Sequence, residues 1–123
     1  MKIEEAMSIL DQRKPNSFLF EEKVQWLNQL DWRIVREVFD THVCGDGADF
    51  IGYTADTDRG TELLVPAPYD EVYISYMGMM IDMINGETAR YNNSAALFNR
   101  QYADFANWYN RHHKPKGATL RYW

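Results

Sequence analysis

The sequence has one cysteine and no long apolar run, and each of these shortages excludes a class of protein. Cys44 has no second cysteine to pair with in the chain, so nothing indicates an oxidising compartment. No apolar segment approaches the roughly 20 residues that a membrane-spanning helix needs. The opening residues, MKIEEAMSIL, are acidic and lack the apolar stretch of a signal peptide. These features predict a soluble protein that is intracellular when it is made.

Basic residues are also fewer than acidic ones. The chain has 13 Lys and Arg against 18 Asp and Glu, which gives a formal net charge of −5. A general nucleic-acid binder needs a basic face that neutralises phosphates. We therefore expect no tight DNA binding, although a protein that DNA only passes could carry this charge.

The common catalytic signatures are also absent. The sequence has no P-loop, dinucleotide fingerprint or nucleophile elbow. Residues 56–62, DTDRGTE, resemble a calcium loop, but Thr61 stands at the sixth position, where that loop requires glycine. Cys44 has no basic neighbour in the sequence that would activate it as a nucleophile. These absences predict a protein that is not an enzyme and needs no cofactor.

The three histidines leave one metal-site alternative open. His112 and His113 are adjacent, so on a helix they point about 100° apart and cannot chelate one ion together. The alternative is a site built from His42, one of these two histidines and aspartates of the central loop. Solvated histidines near the favourable end of a helix dipole are the simpler interpretation.

Aromatic residues, by contrast, are abundant, with 8 Tyr, 6 Phe and 4 Trp among 123 residues. A chain of this length fits a single domain with one modest core. Tyr and Trp bury a large area while keeping a polar tip, so their excess favours large contact surfaces.

Apolar periodicity predicts two helices in the first 40 residues. Ile3, Met7 and Leu10 have helical spacing, and Pro15 then stops the pattern. A longer helix is predicted from about Ser17, a plausible N-cap. Asp31 falls inside the apolar stripe of this helix, so it is predicted to be exposed or paired with a neighbour. The stripe is formed by Phe20, Val24, Leu27, Ile34 and Val38.

Residues 41–68 show no periodicity and form a long irregular connection that is rich in glycine and aspartate. Connections longer than about 12 to 15 residues tend to be functional or disordered. Phe50-Ile51 and Leu63-Leu64-Val65 have the composition of short strands, which would make a small hairpin.

A third helix is predicted from Asp70 to about Asn85, with Gly86 as its C-terminal stop. Its polar residues form only one narrow stripe, so most of its circumference is apolar and must be covered on several sides. A neighbouring subunit is the simplest cover.

The fourth predicted helix extends to His113, and its aromatic residues alternate spacings of four and three. Asn92-Asn93-Ser94 is a weak point, because Asn and Ser compete for backbone hydrogen bonds. We expect a kink there or a new N-cap at Asn93 or Ser94. The seam for packing on another helix is formed by Tyr91, Ala95, Phe98, Tyr102, Phe105 and Tyr109.

The fold class predicted is all-α: a connector-type bundle of four helices, with an irregular loop between the second and third. One helical domain would span residues 1–113, and residues 114–123 would form an extended C-terminal tail. The tail is basic, has no acid, and ends in Tyr122 and Trp123. A free tail gains nothing from such aromatic groups, so it is predicted to be a docking arm.

The sequence also resembles a known family. Residues 61–117 look like the C-terminal half of small proteins encoded in the head-to-tail joining region of tailed-phage and prophage genomes. IEEAMSILDQRKPNSF and KVQWLNQLDWRI resemble the front half of these proteins. The most specific segments are Leu64-Val65-Pro66, Pro68-Tyr69-Asp70, Asn85-Gly86-Glu87, Arg90-Tyr91-Asn92-Asn93 and Tyr109-Asn110-Arg111.

Such proteins are similar to head–tail connector adaptors, which are all-helical subunits that form a ring beneath the portal. The resemblance implies a ring of about a dozen copies that closes by head-to-tail contacts. It implies three further partners: the portal, the next head-completion (stopper) or tail protein, and double-stranded DNA that passes without specific binding. The expected location is the neck of the virion, after synthesis in the cytoplasm of a bacterial host. The alternative is a small monomeric regulatory or binding module that uses its aromatic faces on a protein partner.

Under the connector hypothesis, three groups of residues are candidates for function. The subunit-interface candidates are Tyr76, Met80, Arg90, Tyr91, Asn92, Asn93, Phe98, Tyr102 and Tyr109. The portal-docking candidates are Lys114, Lys116, Arg121, Tyr122 and Trp123. The channel-facing candidates are the loop acids Asp46, Asp49, Asp56 and Asp58.

Overall fold

Four α-helices account for most of the chain in a computed structural model that describes residues 1–42 and 46–114. The prediction of an all-α fold with four helices is confirmed. None of the helices in these residues is long and apolar enough to cross a membrane. In chain order they are α1 (Ile3–Arg13), α2 (Phe20–Ile34), α3 (Glu71–Ile84) and α4 (Thr88–His112), and a π-helical turn, Val35–Phe39, continues α2.

α2 begins at Phe20, so the predicted start near Ser17 is wrong. The backbone N–H of Phe18 donates a 3.1 Å hydrogen bond to the side-chain oxygen of Asn16. Such a local turn holds the preceding segment out of the helix, since asparagine side chains compete with helical hydrogen bonds. Leu19 is extended and serves as the N-cap residue.

The ends of α3 agree with the prediction. Asp70 is its N-cap residue and Asn85 its C-cap residue. Gly86 follows with φ +70°, the left-handed conformation that commonly ends a helix and that glycine adopts at least cost.

α4 is one helix through the segment Asn92-Asn93-Ser94, so the new N-cap predicted at Asn93 or Ser94, the alternative to a kink, is wrong. The hydroxyl of Ser94 donates a 2.7 Å hydrogen bond to the carboxylate of Asp82 on α3. The side chain is therefore occupied by a neighbouring helix and does not compete for the backbone of its own helix.

α3 lies at the centre of the bundle and contacts α1, α2 and α4, most extensively α4. Tyr73 and Met77 are fully buried on it. The other helices of the same chain therefore cover most of the apolar surface of α3. A neighbouring subunit had been the predicted cover for this surface. Met83 and Ile84, at the end of α3, remain 49% and 51% exposed.

The connection between α2 and α3 contains no hairpin in the residues that the structure describes. The only β-type pairing there is an isolated antiparallel bridge between Lys2 and Glu62. The segments predicted as strands instead contact other elements: Leu63 N–H donates to the carbonyl of Met1, and Phe50 packs against Trp32. The segment between α2 and α3 is thus held in place by contacts with the N-terminal segment and α2 rather than by pairing of its own strands.

Candidate functional site

The carboxylate of Asp31 joins α2, the connecting loop and α3. It is fully buried and accepts hydrogen bonds from the hydroxyls of Tyr53 (2.5 Å) and Tyr73 (2.6 Å). The backbone N–H of Leu64 donates a third hydrogen bond, of 3.3 Å. The Tyr73 hydroxyl in turn accepts from the N–H of Val65 at 2.7 Å. The acid that interrupts the apolar stripe is therefore paired, which was one of its two predicted states.

Burial sets the protonation behaviour of this group. Loss of water raises the pKa of Asp31 to about 6, and the three hydrogen bonds to its carboxylate only partly oppose this rise. Burial also raises the pKa of Tyr53 and that of Tyr73, and the nearby Asp31 charge adds to the effect. Both tyrosines therefore remain neutral donors at physiological pH. The arrangement is a hydrogen-bond network that connects α2, the loop and α3.

A second polar connection in the bundle pairs α1 with α3. Asp82 is buried and contacts the ammonium group of Lys14, in addition to its hydrogen bond from Ser94. Burial would raise the pKa of Asp82, but the hydrogen bonds from Lys14 and Ser94 outweigh it and hold the pKa below its usual value. Asp82 is thus an ionised group with both of its partners inside the chain.

The loop approaches α2 most closely at Gly52. This residue has φ +89°, and a Cβ at this position would lie 2.8 Å from the side-chain oxygen of Asn28. The same oxygen accepts a 2.8 Å hydrogen bond from the N–H of Tyr53. Only glycine fits both the backbone conformation and the close contact.

Beyond this contact, the loop forms an open groove of about 770 Å³. Its apolar part includes Phe50, Ile51 and Leu64, and Ile51 is 92% exposed. Its acidic part comprises Asp46, Asp49 and Glu62. The groove therefore combines apolar contact area with negative charge, which is the chemistry expected of a site for a basic, apolar segment.

The C-terminal end of α4 lies beside this groove. The hydroxyl of Tyr109 accepts from the N–H of Asp46 at 3.0 Å and donates to its carboxylate at 3.1 Å. The ring of His113 stacks on Tyr109 with centroids 3.8 Å apart. His113 Nε2 lies 3.7 Å from the Asp46 carboxylate. This cluster fixes where the last turn of α4 leaves the bundle.

The alternative metal site requires His42 to have a free ring nitrogen. His42 is buried, its Nδ1 lies 2.5 Å from the carbonyl of Val38, and its Nε2 lies 2.6 Å from the side-chain oxygen of Asn110. Both ring nitrogens therefore face partners in the protein. In residues 1–42 and 46–114, no three His, Cys, Asp or Glu side chains are placed to hold a metal ion.

Two of the interface candidates on α4 belong to the core. Phe98 and Tyr109 are each 1% exposed, so neither presents a surface to another subunit in this conformation. This corrects their placement at a subunit seam. Their helical spacing identified a packing stripe, but the helices that fill it come from the same chain.

Two further candidates, Tyr76 and Tyr102, are half-buried by contacts within the chain. The ring of Tyr76 packs on Phe98, with centroids 5.1 Å apart. The hydroxyl of Tyr102 donates to Glu37 at 2.8 Å, and the guanidinium of Arg33 lies 4.5 Å from its ring centroid. Each therefore offers only part of its ring to a partner.

The remaining interface candidates lie around the turn between α3 and α4. Arg90, Asn92 and Asn93 are exposed, and Met80 and Tyr91 are half-buried. Met83 and Ile84 at the end of α3 are also exposed, and Met83 lines a small pocket together with Tyr91. We define the α3–α4 surface as the following residues: Met80, Met83, Ile84, Arg90, Tyr91, Asn92 and Asn93.

The four loop acids do not form one cluster. Asp46 and Asp49 line the groove, whereas Asp56 and Asp58 lie in a separate turn, and all four are exposed. In that turn the Asp58 carboxylate accepts a 2.8 Å hydrogen bond from the N–H of Gly60. Asp58 therefore also has a local role in forming the turn.

Of the five portal-docking candidates, the structure describes one. Lys114 is exposed immediately after α4. Lys116, Arg121, Tyr122 and Trp123 lie outside the described residues, as does Cys44.

Sequence reasoning did not find the groove. Its apolar residues were interpreted as strands, and Glu62 was not singled out. The available signals were Gly47 and Gly52, which both have positive φ. The neighbour of Gly52 on α2 is Asn28, which lies 24 positions earlier in the sequence. Such long-range pairing has no local signature.

Comparison with known proteins adds no relative: no family model, no curated protein and no solved structure matches this chain.

Proposed function

We propose that this protein is a structural head–tail connector subunit of a tailed phage. Copies of it form a ring under the portal, extend the DNA channel, and provide a platform for the next head-completion or tail protein. The proposal rests on the sequence resemblance together with one structural observation, the α3–α4 surface. It assigns the chain a structural role at the neck of the virion, without catalysis or a cofactor.

The α3–α4 surface carries the proposal because it is both apolar and hydrogen-bonding. Met83 and Ile84 are 49% and 51% exposed. Asn92 and Asn93 on α4 are exposed as well. Apolar area that its own chain leaves uncovered, with amides beside it, suits contact with another protein surface.

A closed ring also requires a second and different face on every subunit, because head-to-tail contacts pair unlike surfaces. Leu19, in the connection between α1 and α2, is 63% exposed and belongs to neither α3 nor α4. This exposed side chain makes the segment between α1 and α2 a candidate for the second face.

Electron microscopy of portal-bearing heads assembled with the protein tests the proposal. We expect rings on the portal axis with the natural chain. Met83→Lys should abolish the rings, because it puts a charge into the apolar contact. Ser8→Lys is the matched control, since Ser8 is exposed on α1, and it should leave the rings intact.

Circular dichroism must show the same helical content for both variants. Heads that lack any density for this protein, with the natural chain present in excess, would overturn the proposal. A monomer in solution is compatible with it, because a ring can require the portal as a template.

The proposal also requires the DNA channel to be neutral or acidic, so that the duplex slides past. The channel-facing candidates, Asp46, Asp49, Asp56 and Asp58, are all exposed and therefore available for this role. Binding of free duplex DNA that is tight and falls steeply with salt would contradict it.

The tail supplies the proposed attachment to the portal. Deleting residues 118–123 should leave the helical content unchanged and prevent attachment to portal-bearing heads. If the shortened chain joins heads as well as the full chain does, the tail is not the anchor.

A further inference from the structure

The groove of the connecting loop has a composition that points to a particular occupant. Phe50, Ile51 and Leu64 provide apolar contact, while Asp46 and Asp49 are exposed carboxylates beside them. A segment that combines basic and aromatic side chains would satisfy both parts, through charge complementarity and burial of apolar area.

Residues 115–123, PKGATLRYW, have this composition. They contain Lys116 and Arg121, no acidic side chain, and the large apolar groups of Leu120, Tyr122 and Trp123. They also follow directly from the end of α4. His113, two residues before this segment, lies 3.7 Å from Asp46, which is itself part of the groove.

We propose that, before assembly, the groove holds the C-terminal segment 115–123 of its own chain. Lys116 and Arg121 contact the acidic side chains, and the terminal aromatic residues cover the apolar ones.

The length of the segment supports the same-chain assignment. Nine extended residues reach about 30 Å, enough to pass along a groove whose residue Asp46 lies beside His113. The effective concentration of a segment tethered this closely is in the millimolar range, well above that of a second copy at micromolar protein. The groove is therefore filled by its own chain before it can take another.

This inference does not depend on the connector role. If that role is correct, the portal must draw the segment out of the groove. Attachment of the protein to the portal and opening of the groove would then occur in one step. If the role is wrong, the intramolecular contact is unaffected. The experiment below uses the protein alone and therefore separates the two outcomes.

Disulfide formation in the full chain measures where the segment lies. Cys44→Ser provides the background, and Ala48→Cys in the groove is combined with Thr119→Cys in the segment. The control combines Asn107→Cys with Thr119→Cys. Asn107 is exposed on α4 and lies about 9 Å along the helix from His113, so a free tail reaches it equally well. It points about 200° around the helix from Tyr109 and hence away from the groove.

Under mild oxidation at micromolar protein, we expect the groove pair to form an intramolecular disulfide at least about tenfold faster than the control pair. Circular dichroism must show equal helical content for the two variants. Equal rates in the two pairs would overturn the proposal. Covalent dimers as the main product of the groove pair would also overturn it, because the groove would then take the tail of a second copy.

A charge change tests the acidic part of the groove. Asp49→Lys, added to the groove pair, should lower the rate toward that of the control pair, because the segment then meets a like charge. High salt should have the same effect on the unchanged groove pair. If neither change alters the rate, charge does not contribute and that part of the proposal is wrong.

Discussion

The hydroxyl of Tyr73 on α3 donates a 2.6 Å hydrogen bond to the carboxylate of Asp31 on α2, and both side chains are fully buried. This contact joins two helices whose residues are 42 positions apart in the chain. The loop enters the same network through Tyr53 and Leu64. Stability of the bundle and placement of the groove therefore depend on one polar cluster.

The first prediction concerns the pH dependence that Asp31 imposes. Its folded-state pKa of about 6 is higher than the ordinary value of about 3.9, so folding favours the protonated form. The contribution is full below pH 4 and is lost as pH rises through 6. We expect the free energy of unfolding of the natural chain, relative to Asp31→Asn, to fall by about 2 kcal/mol between pH 4 and pH 7. Urea unfolding of both proteins across this range measures it.

The control for this prediction is the shape of the difference curve. Other titrating groups, such as Asp82, are present in both proteins and cancel in the comparison. A difference that does not change with pH would show that Asp31 has an ordinary pKa.

The second prediction concerns the Tyr73 hydroxyl. Tyr73→Phe removes a donor to Asp31 and an acceptor for the N–H of Val65, and leaves both groups buried. We expect a loss of about 1–3 kcal/mol in the free energy of unfolding. Tyr76→Phe is the matched control, since the Tyr76 hydroxyl is exposed and 3.5 Å from Gln29, and it should cost almost nothing. Equal costs for the two variants would contradict the assignment.

The third prediction separates backbone strain from steric contact. Gly52 and Gly86 both have positive φ, but a Cβ on Gly52 would meet Asn28 at 2.8 Å, while one on Gly86 meets nothing within 4 Å. Gly86→Ala should cost about 1–2 kcal/mol through strain alone. Gly52→Ala should cost at least about 1 kcal/mol more. Thermal unfolding of the two variants gives the comparison, and a smaller cost at Gly52 would show that the loop moves away from α2.

The fourth prediction concerns the contact between Lys14 and Asp82. Lys14→Met removes the cation from a buried carboxylate that retains only Ser94, so we expect a loss of about 1–3 kcal/mol at pH 7. This contact lowers the pKa of Asp82, so its contribution to the free energy of unfolding is lost as pH falls through that lowered pKa. The stability cost of Lys14→Met therefore becomes smaller in acid.

The control replaces a cation from an exposed pair. Arg90 and Glu87 are both exposed and lie 3.7 Å apart, so Arg90→Met should cost less than about 1 kcal/mol. Denaturant unfolding at pH 7 and pH 3 measures both variants. A larger loss at Arg90 than at Lys14 would contradict the assignment.

Local signals predicted the helices well and the contacts between them poorly. The C-terminal end of α3 was predicted because Gly86 acts on the neighbouring backbone through its left-handed conformation. The inward direction of Phe98 and Tyr109 was not, because periodicity identifies an apolar stripe without specifying which chain covers it. The groove depends on the contact between Gly52 in the loop and Asn28 on α2. These residues are too far apart in the sequence for a local pattern to reveal the contact.

The π-helical turn Val35–Phe39 has a consequence for variation in chain length. A π turn holds about one residue more than an α turn, so a one-residue deletion inside it would restore ordinary α-helical hydrogen bonding without disturbing α2. The deletion would, however, rotate everything that follows by about 100°. His42 would turn away from Asn110, and the end of α4 would lose this contact with the segment after α2. Homologues that lack this residue should therefore also differ at positions 42 and 110, so that the three changes are inherited together.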